Sequence, residues 1–375
     1  MTHQSESASG LWLETPDDLD AWLAGHTGPL ALDTEFERVS TFFPIPGLVQ
    51  LGVGEDLRLV EPSVAEQSKG FRAALVDADR AKLLYAMSED LDLFRHWLEL
   101  EPVGFLDLQI GAALAGLGFS AGYARMVEQV FDVSLDKSAT RSDWLARPLS
   151  EAQLHYALDD IRFLEPLYRH VETILEERAL SHAWREECQR VSDELRAQAE
   201  PTQYYRRIRG GWQLSAEQQN ILRELAIWRE GECRLRDRPR NRILPDKVLI
   251  EIAGQEPKNR QALSRIDGIP PVVVRRYGET ILGLVANAGR TPLAAPPIAG
   301  PLDRQDQQRF KQLKNVIRHE ADSRDIPIEL VAPRRHLEAC LNGHDGGSLP
   351  SFLTQGWRGE LLAPCTNDIR DIIES

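Results

Sequence analysis

Two carboxylates on one short apolar segment are the residues of this sequence best placed to do chemistry. Asp33 and Glu35 lie within the run Leu30–Phe36, which has the length and composition of a β-strand. Because strand side chains alternate, both carboxylates share one face and lie about 7 Å apart. Burying such a pair without a partner costs several kcal/mol. The pair therefore requires either a bound cation or the solvated face of an edge strand.

Two further acids and an aromatic hydroxyl occur at positions that suit the same chemistry. Asp90 lies where an apolar stretch passes into a helix, a usual place for ligand-binding groups in α/β proteins, although the helix dipole alone also favours an acid there. Tyr156 and Asp160 are four residues apart on a predicted helix and share one face. His155 and Asp159 form an equally good pair one position earlier, and spacing does not choose between the two pairs.

These side chains together form a set suited to phosphodiester cleavage. Mg²⁺ and Mn²⁺ prefer oxygen ligands. Two such ions about 3.5 to 4 Å apart activate an attacking water and stabilise the leaving oxygen. Because four carboxylates balance the charge of two divalent ions, the set predicts a centre for two metal ions, Mg²⁺ or Mn²⁺.

A mixed sheet is the element that must position these acids. Apolar runs separated by turn residues predict consecutive strands at 30–36, 48–54 and 57–60, and strands at 82–87 and 103–108 alternate with helices. Thr15, followed by a proline and two acids, opens a helix. A capping-box pattern at Ser150 starts a long helical stretch that runs to about residue 199. The first half is thus predicted to be an α/β domain.

An internal repeat with a spacing of 88 residues marks the second half. The pattern Arg-Asp-x-Pro at 236–239 recurs at 324–327, and five further positions carry identical or similar residues in the same register. Such a repeat predicts two copies of one small helical domain. The segment 287–301 (NAGRTPLAAPPIAGP) is rich in Ala, Pro and Gly and is predicted to link them.

Charge and composition exclude several classes of protein. The 375 residues carry a net charge of −14, divided into −19 for residues 1–200 and +5 for residues 201–375. This balance argues against a simple nucleic-acid coat protein, because phosphate binding depends on Lys and Arg. No apolar run approaches the roughly 20 residues that span a bilayer, and no secretory signal is recognisable, so we expect a cytoplasmic protein. The four cysteines are too widely spaced for a zinc knuckle or a disulfide framework.

Three groups of motifs follow one another along the first half. They are DTEF at 33–36 with TFFP at 41–44 and GLVQL at 47–51; SEDL at 88–91; and DKS at 136–138, RSDW at 141–144, RPL at 147–149 and YALDD at 156–160. In this order they resemble the motifs of the ribonuclease D family, within the DEDD exonuclease superfamily. The two C-terminal repeats resemble HRDC domains, the helical modules shared with RecQ-type helicases. The resemblance covers nearly the whole chain.

The resemblance implies an α/β ribonuclease-H-like exonuclease domain, a mixed sheet flanked by helices, at residues 1–200. Two all-α HRDC domains then follow at 208–290 and 301–375. The catalytic set it implies ligates two divalent metal ions through four acids, Asp33, Glu35, Asp90 and Asp160. It also implies that Tyr156 positions the nucleophilic water. His155 satisfies the spacing of the His-type branch of the superfamily, but the surrounding motifs and the HRDC repeats favour Tyr156.

The implied function is a 3′→5′ exoribonuclease that trims RNA with a free 3′ end, such as tRNA precursors, and releases nucleoside 5′-monophosphates. The resemblance implies no obligatory protein partner, and we expect a monomer. Between residues 204 and 242 there are ten arginines and five acids, which form a possible footprint for RNA. The alternatives are a 3′→5′ DNA exonuclease and a non-catalytic RNA-binding protein. Candidate nucleic-acid contacts are Phe36, Phe43, Gln50, Gln109, Lys137 and Arg141.

Overall fold

The structure is a computed structural model that describes residues 11–136, 138–288, 297–342 and 349–375. It contains two compact units. The first consists of the described residues of Met1–Glu37, Ile45–Ser192 and Leu302–Ser375, and the second of those of Arg38–Pro44 and Asp193–Pro301. Within the described ranges, no helix is both long and apolar enough to cross a membrane.

A mixed sheet forms the centre of the first unit. The strand order is β1-β4-β3-β2-β5-β6, with β2–β3 and β3–β4 antiparallel and the other neighbours parallel. The predicted α/β fold is confirmed, and β1 is a short strand that the sequence pattern did not reveal. The strands are β1 Trp12–Leu13, β2 Leu30–Glu37, β3 Ile45–Val53, β4 Asp56–Val60, β5 Lys82–Leu84 and β6 Phe105–Asp107.

Strand β2 carries the first two acids and lies inside the sheet. It pairs with β3 on one side and β5 on the other. Its register with β3 shifts between Glu35 and Phe36, an irregularity that bends a strand and re-aims its side chains. The pairing with β5 covers only Leu30 and Ala31, so at Asp33 and Glu35 the strand pairs with β3 alone. Both acids are nevertheless half-buried, which the solvated face of an edge strand does not explain.

Nine helices precede the Arg-rich region in the described chain. The first has the predicted capping box, in which Thr15 and Asp18 each accept from the other's backbone N–H. The stretch predicted as one helix from Ser150 is three helices, because Phe163 leaves the helical conformation and Ala179 has a positive φ of 54°. The helices are α1 Pro16–Gly25, α2 Pro62–Gln67, α3 Lys69–Val76, α4 Ser88–Trp97, α5 Leu108–Leu114, α6 Tyr123–Phe131, α7 Glu151–Arg162, α8 Leu164–Glu177 and α9 Ser181–Ala199.

The second unit is helical, and it includes the segment 38–44, which contributes Phe42 to its apolar core. Phe42 is only 7% exposed, and the guanidinium groups of Arg234 and Arg240 lie 4.9 and 4.8 Å from its ring centre. Asp237 Oδ1 accepts from the backbone N–H groups of Phe42 and Phe43 at 2.9 and 3.0 Å. The helices are α10 Ala216–Arg236, α11 Arg240–Ile243, α12 Asp246–Gln255, α13 Arg260–Ser264 and α14 Pro271–Ala288.

The C-terminal helices belong to the first unit. Arg358, which is 2% exposed, pairs with Glu187 of α9 at 2.6 Å, and the Trp357 N–H donates to Glu186 at 3.0 Å. Most of the predicted linker, residues 289–296, lies outside the described residues. The helices are α15 Arg304–Ser323, α16 Ile328–Val331, α17 Arg334–Asn342, α18 Ser351–Thr354, α19 Gly356–Leu362 and α20 Thr366–Glu374.

Candidate active site

Three carboxylates converge between strand β2 and helix α7. One oxygen from each of Asp33, Glu35 and Asp160 lies within 4.8 Å of the other two. Strand β2 supplies Asp33 and Glu35, because residues i and i+2 share a face. Helix α7 supplies Asp160, which is distant in the sequence. This spacing allows a single hard cation to contact all three groups.

Burial and mutual repulsion disfavour ionisation of this cluster. Burial, followed by the charges of Asp90 and Asp160, raises the pKa of Asp33 well above its ordinary value. The same kinds of effect raise the pKa of Glu35 to about 8 and, mainly through burial, that of Asp160 to about 7. An acid cluster that resists ionisation without a counter-charge is the arrangement that a divalent cation stabilises.

Asp90 lies beside this cluster in the first turn of α4. It is 7% exposed, and its carboxylate accepts a hydrogen bond from the Thr34 hydroxyl. Burial raises the pKa of Asp90 to about 7. Its charge in turn raises the pKa of both Asp33 and Glu35. Asp90 is not one of the three residues that meet within 4.8 Å, but it contributes a fourth carboxylate to the same charged region.

Tyr156 and His155 occupy different environments on α7. The half-buried Tyr156 hydroxyl lies close enough to Asp160 to lower the pKa of that carboxyl, Thr140 in turn lowers the pKa of Tyr156, and the Tyr156 ring centre lies 5.9 Å from that of Trp144. Burial and the charge of Asp160 raise the pKa of Tyr156. His155 is exposed. The contacts with the acid cluster therefore belong to Tyr156.

Gln50 lies beside Asp33 in the interior of the sheet. It is opposite Asp33 on β3, it is 0% exposed, and its Nε2 donates to Asp33 Oδ2 at 3.4 Å. The assignment of Gln50 to nucleic acid stays a prediction, and its burial favours a different role. A buried amide that donates to a carboxylate orients that carboxylate instead.

The other predicted RNA contacts differ in accessibility. Phe36 is half-buried at the end of β2, and Arg141 is exposed in the loop before α7. Phe43 is half-buried against the core of the second unit, whereas the half-buried Gln109 donates to the carbonyl of Ala121 at 3.0 Å. Lys137 lies outside the described residues. These assignments to RNA stay predictions.

Three residues near the acids were missed by sequence reasoning. Thr34 donates to Asp90, and Thr140 lowers the pKa of Tyr156. The Tyr123 hydroxyl donates to the carbonyl of Asp159 at 3.0 Å and accepts from the N–H of Phe163 at 3.3 Å. Thr34 could have been found, because it stands between the two acids of one motif. The contacts of Thr140 and Tyr123 depend on loop placement that no periodicity predicts.

The residues present fit hard divalent cations. All four acidic groups offer oxygen ligands, which Mg²⁺ and Mn²⁺ prefer, and no His or Cys is part of the convergent group in the described chain. A bound cation would lower the raised pKa values of these acids and return the acids to the ionised state. The donor chemistry and the electrostatics therefore agree on the type of ion.

Comparison with known proteins gives a consistent result along the chain. Residues 11–176 match the family model described as 3′-5′ exonuclease, residues 218–285 match the HRDC domain, and residues 305–365 match "Ribonuclease D, C-terminal HRDC domain". Ribonuclease D of Pseudomonas paraeruginosa is 38% identical over 338 residues, which cover 89% of each chain. Ribonuclease D of Escherichia coli K12 is 35% identical over 347 residues, covering 91% of this chain and 92% of the relative.

A solved structure extends this similarity to three dimensions. The crystal structure of Escherichia coli RNase D, titled as an exoribonuclease involved in structured RNA processing, superimposes with a TM-score of 0.86 at 32% identity. The match covers 100% of this chain and 99% of that one. Fold, helical repeats and sequence thus agree with the same set of relatives.

Proposed function

This chain belongs to the ribonuclease D family and is a 3′→5′ exoribonuclease, and we propose that its substrates are structured RNAs with a free 3′ end, tRNA precursors among them. The observation that carries the proposal is the convergence of Asp33, Glu35 and Asp160 within 4.8 Å, with Asp90 adjacent. A chain that had become a non-catalytic scaffold would gain stability by losing these mutually repelling acids.

The proposed reaction is hydrolysis of the terminal phosphodiester. Asp33, Glu35, Asp90 and Asp160 would hold two divalent ions, Mg²⁺ or Mn²⁺, which when bound supply charge for water activation and for the leaving oxygen. Attack at phosphorus breaks the bond to the 3′ oxygen, so the products are nucleoside 5′-monophosphates. The four side chains must be ionised to act as ligands, and cation binding therefore displaces the protons that their raised pKa values retain.

Tyr156 is proposed to orient the attacking water. Its hydroxyl already lies in the acid region, close enough to Asp160 to lower the pKa of that carboxyl. Because burial and nearby carboxylates raise its pKa above the ordinary value, Tyr156 stays protonated at neutral pH and acts as a hydrogen-bond donor and acceptor. His155 is exposed on the same helix, which supports its exclusion from this role.

A basic cleft in the second unit is proposed to bind part of the RNA. The cleft, of about 760 Å³, contains four arginines and no acid among its described lining residues. Arg238, Arg242 and Arg276 are exposed, whereas Arg236 is paired with Glu232 at 2.6 Å. Exposed arginines contact phosphate and stack on bases. The cleft is lined by Val39, Ser40, Leu235, Arg236, Arg238, Arg242, Ile243, Val272, Val273, Arg276 and Tyr277.

One assay tests the reaction and the choice of nucleic acid. A 5′-labelled RNA with a free 3′ end should give a ladder of single-nucleotide steps with Mg²⁺ and none with EDTA. The matched DNA should be shortened far more slowly. Gel retardation without shortening would favour the scaffold, and equal rates on RNA and DNA would favour a general exonuclease.

A triple variant tests the cleft. Arg238, Arg242 and Arg276→Gln should raise KM for a structured RNA, with a smaller change in kcat, and should flatten the dependence of binding on salt. The matched control replaces three exposed arginines outside the cleft. An unchanged KM in the cleft variant would exclude this surface as the RNA site. The control residues are Arg265, Arg304 and Arg370.

A further inference from the structure

A buried acid at the end of β6 connects two parts of the chain beside the candidate active site. Asp107 is 4% exposed. Its Oδ1 accepts from the N–H groups of Ala86 and Gln109, each at 2.9 Å, and its Oδ2 accepts from that of Met87 at 3.1 Å. Three backbone donors on one carboxylate form a strong and directional set of hydrogen bonds.

Only one of these bonds is needed to cap a helix. The bond to Gln109 caps α5, which Asp107 itself precedes. The other two cross to the neighbouring parallel strand and reach the residues between β5 and α4. Met87, the N-cap of α4, has no side-chain cap of its own, so Asp107 supplies an acceptor that the local sequence lacks.

The backbone that Asp107 holds is a strained one. Ala86 has a φ of +62°, in the left-handed region that costs a non-glycine residue about 1 to 2 kcal/mol. Such a conformation persists where its surroundings enforce it. The bond from the Ala86 N–H to Asp107 is part of that enforcement, and it fixes the direction in which α4 starts.

The first turn of α4 presents Asp90, three residues after Met87. The carboxylate of Asp90 is held by Thr34, and the backbone that bears it is held by Asp107. We propose that Asp107 is a positioning residue that sets the place of Asp90 as a metal ligand. The proposal rests on the proposed function, in which Asp90 is such a ligand.

Asp107 is itself fixed and is not a ligand. Both of its carboxylate oxygens accept from backbone N–H groups. Its carbonyl accepts from Trp184 Nε1 at 2.9 Å, and its N–H donates to Cys188 Sγ at 3.3 Å. Helix α9 therefore anchors the residue that orients α4.

The test is the affinity for metal of Asp107→Asn, measured without substrate. Asparagine keeps the size of the side chain but places an NH₂ group against a backbone donor. Calorimetric titration with Mn²⁺ should show a loss of affinity of about 10-fold or more, the usual effect of residues behind metal ligands. Asp303→Asn is the control, because it removes the N-cap acid of α15 and should leave the affinity unchanged.

Further variants keep the outcome interpretable. If Asp107→Asn folds poorly, the double variant Ala86→Gly with Asp107→Asn removes the strain of the positive φ and allows folding. It does not restore the two hydrogen bonds that fix the start of α4, so the affinity should still be low. Wild-type affinity in the folded double variant would overturn the proposal. Asp90→Asn separates the two hypotheses. If Asp90→Asn leaves Mn²⁺ binding intact, the assignment of Asp90 as a metal ligand fails. If Asp90→Asn weakens Mn²⁺ binding and Asp107→Asn does not, only the positioning role is refuted.

Discussion

Replacing Glu35 by glutamine should stabilise the metal-free protein at alkaline pH. Burial, followed by the charges of Asp160 and Asp90, raises the pKa of Glu35 from 4.5 to about 8. The folded protein therefore holds a proton on Glu35 that the unfolded chain releases near pH 4.5. Wild-type stability falls as the pH rises through this interval, whereas a glutamine has no proton to lose.

The size of the effect follows from the pKa difference. Each pKa unit corresponds to about 1.36 kcal/mol, which gives an upper limit of roughly 5 kcal/mol. Because a buried glutamine still carries polar groups to desolvate, we expect Glu35→Gln to raise the free energy of unfolding by about 2 kcal/mol at pH 8. For a unit of this size the gain amounts to about 4 to 8 °C in Tm.

Thermal unfolding in EDTA at pH 4 and pH 8 measures this difference. At pH 4 the wild type and the Glu35→Gln variant should have the same Tm. At pH 8 the Glu35→Gln variant should have the higher Tm. The control is Glu37→Gln, a change on the same strand. Saturating Mg²⁺ should stabilise the wild type more than the variant. A Glu35→Gln protein that melts at or below the wild-type temperature at pH 8 in EDTA would refute the electrostatic reasoning.

Three other predictions concern the water-orienting group, the metal site and the second unit. Tyr156→Phe should lower kcat by about 10²-fold or more and His155→Ala should not, as single-turnover rates would show; the reverse ranking contradicts the assignment. Asp160→Asn should abolish Mg²⁺-dependent cleavage, and a wild-type rate would refute the metal site. Asp237→Ala should destabilise the second unit by about 2 to 4 kcal/mol, since two N–H groups lose their acceptor. Asp237→Asn retains an acceptor oxygen and should lower the free energy of unfolding by less than Asp237→Ala does. Equal denaturant midpoints for these two variants would contradict this prediction.

The sequence was sufficient for the parts of the fold that depend on local periodicity. Alternation placed Asp33 and Glu35 on one face, and the i,i+4 spacing placed Tyr156 next to Asp160, whose pKa the Tyr156 hydroxyl lowers. The order of the motifs predicted the family, which the comparisons confirm. These inferences succeed because each depends on residues a few positions apart.

What the sequence did not reveal depends on pairing between distant segments. The place of β2 inside the sheet is set by β5, just over fifty residues later. The half-buried state of Asp33 and Glu35 depends on such distant segments, and it argues against the edge-strand interpretation. Gln50 was assigned to RNA because its register opposite Asp33 was unknown. Pro166 follows the break of the long helix at Phe163, but the hydrophobic periodicity continues past it and was followed instead. The break at Ala179 has no Gly or Pro beside it.

The discontinuous first unit has a consequence for biosynthesis. Its sheet and most of α9 leave the ribosome first, the helices of the second unit follow, and the helices beyond Leu302 come last. Until Arg358 emerges, Glu187 has Arg190 at 2.6 Å as its partner within α9. Removing one partner of a buried ion pair costs about 3 to 5 kcal/mol. Prematurely terminated chains lack the ion pair between Arg358 and Glu187, so we expect their first unit to be less stable and more sensitive to proteolysis than that of the full-length protein.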